Sequence, residues 1–158
     1  MVHSPTKTVP LEAPLLYTSL TKAAMRYCYE CHHGQVDKSG VPYVFHPAHV
    51  AEQMETEAET CAALLHDVME DCGKTEADLA GIGMPAEVIE ALRLLNHRPG
   101  VPYLDYVRAL RDNDIARKVK LADLEHNSDV SRLGEVGERD RDRVRKYEKA
   151  RAMLEGQG

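Results

Sequence analysis

The chain has 158 residues, and its 43% hydrophobic and 29% charged residues are proportions typical of a globular domain with a sizeable core. A formal net charge of −6 argues against a general nucleic-acid binder, which would present a basic surface. No apolar stretch approaches the roughly 18–20 residues of a membrane span, and the polar N-terminus contains no apolar signal-peptide core. We therefore expect a single cytoplasmic domain over 15–158, after a loosely ordered lead-in over 1–14, with no membrane or nucleic-acid partner.

Patterns taken in chain order predict helices and no sheet. A first helix is predicted over about 18–33 by apolar residues at helical spacing, which are Leu20, Ala24, Tyr27 and Cys31. Prolines predict the start of one helix at Pro47 and of another at Pro102, and a capping box at Thr75–Asp78 predicts the start of a short one. Four more helices are predicted over about 57–71, 85–96, 114–127 and 138–154. The last of these alternates in charge, and Asp142 and Lys146 are spaced to pair on a solvated helix. The expected fold is an all-α, single-domain helical bundle.

The four cysteines are expected to stay reduced in a cytoplasmic protein. Two of them, Cys28 and Cys31, form with His32 the pattern C-x-x-C-H, which is typical of c-type haem attachment. That attachment takes place outside the cytoplasm, and the N-terminus shows no export signal. A spacing of three also places both side chains on adjacent turns of a helix. Core packing is the favoured interpretation, with a redox or zinc role and haem attachment as the alternatives.

The segment LLHDVMED, from Leu64 to Asp71, has the strongest chemical character. His66, Asp67, Glu70 and Asp71 directly follow an apolar run that must be buried. On one continuous helix these four side chains would crowd onto one side, because they form two pairs spaced by four residues. Burying carboxylates costs several kcal/mol unless a cation or hydrogen bonds compensate, and a metal ion supplies that compensation. The alternative is an exposed helix end with its charges in water.

A divalent metal needs more ligands than one His-Asp pair provides, and two other predicted helices offer them. His32 lies at the end of the first helix, and Asp123 follows an apolar stretch in a later one. Taken alone, each of these residues would more simply be structural. His46 and His49 flank Pro47, where a role in starting the helix is favoured over metal ligation.

Four motifs, in this order, resemble the HD superfamily of metal-dependent phosphohydrolases. In detail they resemble the hydrolase domain of RelA/SpoT proteins and the stand-alone small alarmone hydrolases. The similarity runs from about residue 20 to 133. Its segments are His32–Gln35, similar to H-x-G-Q; Lys38–Pro47, similar to K-S-G-x-P-Y-x-x-H-P; His66–Asp71, similar to H-D-V-V-E-D; and Lys120–Asn127, similar to K-L-A-D-x-x-H-N.

The resemblance implies a site and a reaction. The implied residues are, for the metal, His32, His66, Asp67 and Asp123; for activation of water, Glu70 and Asp71; and near the nucleotide, Lys38, Ser39 and Asn127. Lys22 and Arg26 could also reach an anionic ligand, although a solvated helix face is their default interpretation. The implied reaction removes the 3′-pyrophosphate from guanosine tetra- or pentaphosphate and leaves GDP or GTP. Manganese is the implied metal, and the residues would also suit iron or magnesium.

Three departures from the family pattern concern the substrate rather than the metal. Asp37 stands next to Lys38 where the family usually has Arg, so a charge that repels phosphate replaces one that attracts it. Leu94–Arg98 replaces a G-V-T-K stretch, and Leu124–Asp129 differs from the usual R-L-H-N-M-R. None of the departures touches the proposed ligands, and all of them bear on which nucleotide fits.

Other functions are compatible with the sequence. They are an HD nucleotidase or a pyrophosphohydrolase acting on another nucleotide, a catalytically silent nucleotide-binding regulator, and a haem or redox carrier that uses Cys28 and Cys31. The presence of Glu70 and Asp71 beside a full ligand set favours catalysis, because a protein that only binds a nucleotide does not need them.

Overall fold

A computed structural model describes residues 16–129 and 136–156, so the lead-in predicted over 1–14 lies outside the described residues. Within them the chain is all-α, as predicted, and Val36 and Pro42 form an isolated β-bridge. The helices of this described part are α1 (Ser19–His32), α2 (Phe45–Glu52), α3 (Glu57–Leu65), α4 (Val68–Cys72), α5 (Glu76–Gly81), α6 (Ala86–Leu95), α7 (Tyr103–Ala109), α8 (Asp114–Asn127) and α9 (Glu138–Leu154). None of these helices is both long and apolar enough to cross a membrane.

Three threonines start helices by the same local mechanism. Thr18, Thr56 and Thr75 are extended, and each hydroxyl accepts a hydrogen bond from the amide three residues later. The side chain of that later residue bonds back to the threonine amide, which completes a capping box. The box predicted at Thr75–Asp78 is therefore confirmed, and the box at Thr56 fixes where α3 begins.

Helix α3 is the centre of the bundle. Its residues from Cys61 to Leu65 are buried, and the helix packs against α1, α2, α6 and α8. Burial on all sides requires the continuous apolar run that the sequence has at this point. The C-terminal end of α3 therefore places the next two residues, His66 and Asp67, in the middle of the domain, where α2 and α8 also meet.

The structure contradicts the single helix predicted over 57–71. Helix α3 ends just before His66, and α4 begins just after Asp67, whose backbone has φ −107° and ψ 0°. The ring Nδ1 of His66 donates to the carbonyl oxygen of Ala63 over 2.6 Å, so the side chain uses an acceptor that the next helical turn would have needed. The four ionisable groups of this segment are thus divided between a junction and a short second helix.

The last helix has the predicted bounds but not the predicted ion pair. Asp142 pairs with Arg145, three residues further on, rather than with Lys146. The Nζ of Lys146 instead lies 4.6 Å from the ring centre of Tyr103. Helix α9 packs against α7 and α8 and buries Ala150. One side of α9 is consequently packed against the rest of the domain, and the helix is not solvated on all sides.

Candidate active site

Ligand-type atoms from two helices, α2 and α8, and from the junction between α3 and α4 converge at the end of α3. The Nε2 of His66 lies 3.0 Å from Oδ2 of Asp67 and 3.4 Å from Oδ1 of Asp123 on α8. The Nε2 of His46 on α2 lies 2.8 Å from the same Oδ1 of Asp123. His46, His66 and Asp67 each place one such atom within 4.8 Å of the others. Two imidazoles and two carboxylates therefore face one another in a largely buried site.

The spacing of these atoms suits a metal ion. Ligand atoms about 2.1 Å from an ion and at right angles to each other lie about 3.0 Å apart, which is the middle of the observed separations. In addition, Nε2 of His66 is buried and makes no well-aligned hydrogen bond, despite the carboxylates beside it. A polar atom buried in this state is costly unless something else binds it. The four residues thus fit a divalent cation, with positions left for water and substrate oxygens.

Charge coupling in the cluster points to the same conclusion. Burial opposes a charge on His66, but the neighbouring carboxylate of Asp67 and the contacts with Asp123 raise the pKa of the imidazole well above its usual value. Burial also opposes ionisation of Asp123, yet the ammonium of Lys120 and the contacts with His46 and His66 hold the pKa of that carboxyl well below its usual range. The carboxylates therefore create a position that attracts positive charge, which a metal ion can occupy in place of a proton.

Surrounding hydrogen bonds orient the carboxylates of the cluster. The Nζ of Lys120 lies 2.9 Å from Oδ2 of Asp123, and Nδ2 of Asn127 donates to Oδ1 of Asp123 over 2.9 Å. The hydroxyl of Tyr43 donates to Oδ2 of Asp67. Such outer partners fix the orientation of metal ligands in proteins. Asn127, predicted near the nucleotide, is thus also bonded directly to the cluster.

Sequence reasoning passed over His46 and chose His32, and the structure places the two differently. His46 is 5% exposed and belongs to the cluster, although its position beside Pro47 favoured a role in starting the helix. The motif Y-x-x-H-P contained the signal, but no chemistry was assigned to its histidine. His32 is also buried, its Nε2 makes no hydrogen bond, and its ring centre lies 4.9 Å from that of Tyr43. Its Nδ1 lies 2.9 Å from Oε1 of Gln35. The role of His32 as a metal ligand stays a prediction.

Glu70 and Asp71 line a cavity of about 260 Å³ together with His66, Asp67 and Asp123. Partial burial, together with the charges of Asp67 and of Asp71, raises the pKa of Glu70. Partial burial and the charge of Asp67 likewise raise the pKa of Asp71, partly offset by the nearby histidines. The two carboxylates predicted to activate water are therefore beside the candidate metal site and are more basic than exposed carboxylates.

A second cavity, of about 300 Å³, adjoins the first, and Tyr43, Asn127 and Tyr147 line both. Its wall includes the predicted nucleotide contacts Lys38 and Ser39. Helix α9 supplies the other wall through Arg143 and Tyr147. This wall was not predicted, because the alternating charges of α9 suggested only a solvated face.

Asp37 has a structural role in this second cavity. Its Oδ1 accepts backbone hydrogen bonds from Ser39 over 2.8 Å and from Val41 over 3.0 Å, so the carboxylate holds the loop that carries Lys38. Two other predicted contacts do not reach the site: Lys22 and Arg26 are exposed on α1 and line neither cavity.

Parts of the chain are similar in sequence to known proteins. No family model matches the chain. Over 64 residues it is 47% identical to a Vibrio cholerae protein named guanosine-3′,5′-bis(diphosphate) 3′-pyrophosphohydrolase, a stretch covering 35% of this chain and 9% of that protein. Over 73 residues it is 40% identical to the Escherichia coli bifunctional (p)ppGpp synthase/hydrolase SpoT, covering 42% of this chain and 10% of that protein.

A solved structure matches nearly the whole chain. It is a metazoan ortholog of SpoT described as hydrolysing ppGpp, with a TM-score of 0.71, 23% identity, and coverage of 89% of this chain and 88% of that one. The chain is therefore similar in sequence to short stretches of SpoT-type proteins and in fold to one of them. The resemblance expected from the four motifs is thereby confirmed, as is the helical fold. The matched stretches span about a tenth of the length of the two curated relatives.

Proposed function

We propose that this SpoT-like domain removes the 3′-pyrophosphate from guanosine tetra- and pentaphosphate in the cytoplasm, with a divalent metal ion that we take to be Mn²⁺. The observation that carries the proposal is the convergence of His46, His66, Asp67 and Asp123 beside the carboxylates of Glu70 and Asp71. The similarity to proteins named as hydrolases of this nucleotide supports it.

Different residues of the site would bind the metal, accept a proton and neutralise charge. His66, Asp67 and Asp123 would hold the ion together with His46, which the geometry favours, or with His32, which the sequence predicts. When bound, the ion would lower the pKa of water and offset charge on the phosphoryl group. Glu70 and Asp71 accept the proton of the attacking water, a role that suits carboxylates of raised pKa. Lys120 is a cation lining the same cavity, and its ammonium counters the negative charge of these carboxylates and of the substrate.

The adjoining cavity provides a place for the nucleotide. Lys38 lies on one wall and Arg143 on the other, so two cations face a ligand that carries several phosphates. Arg143 thus compensates for the arginine that the family usually has at the position of Asp37. Tyr147, which lines both cavities, offers an aromatic surface between them.

Arg143→Gln is expected to raise KM for the guanosine 3′-pyrophosphate about 10- to 100-fold and to leave kcat within about threefold, because one charge-assisted hydrogen bond is lost. Arg143 pairs with Asp140 over 2.6 Å, so its loss also leaves that carboxylate unneutralised near the cavity. The matched control is Arg145→Gln, on the same helix but not lining the cavity. Equal KM values for the two variants would contradict a nucleotide site against α9.

A product assay tests the proposed reaction. The purified protein with added Mn²⁺ is incubated with guanosine 3′-pyrophosphates, GDP, GTP, 3′-monophosphates and 5′-monophosphates, and the products are separated by chromatography. We expect pyrophosphate release from the 3′-pyrophosphates and little turnover of the others. Cleavage of 5′-monophosphates alone would make the protein a nucleotidase. Tight binding of the 3′-pyrophosphates with no turnover would make it a silent regulator.

A further inference from the structure

Two cysteines that are far apart in the sequence meet beside the candidate active site. The Sγ of Cys72 lies 3.2 Å from the backbone oxygen of Cys31, 41 residues away in the sequence. Both cysteines are free and partly exposed, whereas Cys28 and Cys61 are only 1% and 0% exposed. Cys28 therefore packs in the core as predicted, and the thiol partner of Cys31 in the fold is Cys72.

The pair connects the ends of two helices that carry site residues. Cys31 is the second-last residue of α1, and Cys72 is the last residue of α4, directly after Asp71. The Sγ of Cys72 also lies 3.6 Å from Nδ1 of His32 and 3.6 Å from Nε2 of Gln35. A covalent bond between the sulfurs would consequently fix the end of α4, and with it the carboxylate of Asp71, relative to α1.

We propose that Cys31 and Cys72 form a disulfide when the domain meets hydrogen peroxide or a similar peroxide, so that the pair is an oxidative modification site. One thiolate attacks the peroxide, whose O–O bond breaks, and gives a sulfenic acid and one water. The second thiol attacks the sulfenic sulfur, which forms the S–S bond and releases a second water. In total, two thiols and one hydrogen peroxide give one disulfide and two waters. Partial exposure lets the oxidant reach the pair, and the packing of the Cys72 thiol against the backbone of Cys31 favours linkage over further oxidation. Burial raises the pKa of both thiols, so the first step is expected to be slow and to need an excess of peroxide.

The disulfide is expected to lower the activity of the domain, a consequence that rests on the proposed function. The bond would replace the present contacts of Cys72 Sγ with the oxygen of Cys31 and with His32, and Asp71 is the covalent neighbour of Cys72. Displacement of a catalytic group by about 1 Å can cost about 100-fold in rate. We therefore expect a loss of about 10-fold or more in kcat, reversed by a dithiol reductant.

Peptide mapping of the wild-type chain decides the proposal. After peroxide treatment, free thiols are blocked and the protein is cut after glutamate, which separates Cys28 from Cys31 at Glu30 and Cys61 from Cys72 at Glu70. We expect residues 31–52 joined to residues 71–76 in a reducible pair, with blocked thiols at the two buried cysteines. A Cys28–Cys31 link, links between chains only, or oxidation of single cysteines without any link would each overturn the pairing.

Two variants connect the bond to activity. Cys72→Ser should form no link and keep its activity through peroxide treatment, whereas Cys28→Ala should still form the Cys31–Cys72 link and lose activity like the wild type. If the reduced wild type fails to hydrolyse guanosine 3′-pyrophosphates, the proposed function fails, and the mapping still decides whether the disulfide forms. An oxidised, fully linked wild type with unchanged kcat would overturn the effect on Asp71.

Discussion

His66→Ala and Asp67→Ala are each expected to lose bound metal and to lower kcat/KM by at least about 10³-fold. Each change removes a proposed metal ligand from the cluster, in which Nε2 of His66 lies 3.0 Å from Oδ2 of Asp67 and 3.4 Å from Oδ1 of Asp123. The lost stabilisation of phosphoryl charge amounts to several kcal/mol, and about 1.4 kcal/mol corresponds to tenfold in rate. Elemental analysis of the purified variants, alongside turnover of the guanosine 3′-pyrophosphate, measures both effects.

The same measurement distinguishes the two candidate ligand sets. His46→Ala should lose metal like His66→Ala, because Nε2 of His46 faces the shared oxygen of Asp123. His32→Ala should keep metal if His46 is the fourth ligand, and should lose it if His32, whose buried Nε2 makes no hydrogen bond, is the fourth ligand. His33→Ala is the matched control, since His33 is exposed next to it in the sequence. Metal retained in His46→Ala but lost in His32→Ala would restore the set predicted from the sequence.

Chelation of the wild type should lower its melting temperature in parallel. The proposed ligands come from α2, α8 and the junction after α3, so we expect an ion to bind only the folded arrangement. A ligand present at about 100 times its Kd stabilises a fold by about 2.7 kcal/mol, which for a domain of this size corresponds to a shift of about 5–10 °C. An unchanged melting curve after complete metal removal would argue against ligands on separate helices.

Most helices could be predicted from the sequence because their signals are local. Thr75 with Asp78, and the asparagine before α8, fix helix starts through hydrogen bonds between residues three apart. The break after α3 could not be predicted in this way. The break depends on a hydrogen bond from the His66 ring to the backbone oxygen of Ala63. The pattern of apolar residues would be the same if the ring bonded to water instead.

The residues of the candidate metal site were predictable as types and only partly as positions. His66, Asp67 and Asp123 follow apolar runs, so their burial could be inferred from the sequence alone. His46 follows a turn-rich loop, and only the packing of α2 against α3 and α8 brings it beside Asp123. The cavity wall formed by α9 and the position of Cys72 beside Cys31 could not be predicted for a similar reason. Contacts between residues far apart in the chain produce no periodic pattern in a single sequence.

Glu70→Gln and Asp71→Asn should behave differently from the ligand variants. Each is expected to retain fold and metal and to lose about 10²- to 10⁴-fold in kcat, because a proton acceptor is removed and no ligand is. Elemental analysis, thermal unfolding and turnover of the guanosine 3′-pyrophosphate are measured on the same preparations. The matched control is Glu87→Gln, an exposed carboxylate at the start of α6. A variant whose kcat stays within about threefold of the wild type contradicts a base role for that residue.

The pH dependence of kcat gives these two residues an independent test. A general base must be ionised, and the pKa values of Glu70 and Asp71 are raised by partial burial and by neighbouring carboxylates. Activity should therefore be complete above the raised pKa and fall as the pH drops through it, at a pH above the roughly 4–4.5 of exposed carboxylates. Replacing the base with its amide should remove this acidic limb from the residual activity. If the limb survives unchanged in both variants, the titrating group lies elsewhere, and the proton acceptor must be sought among the other groups of the cavity.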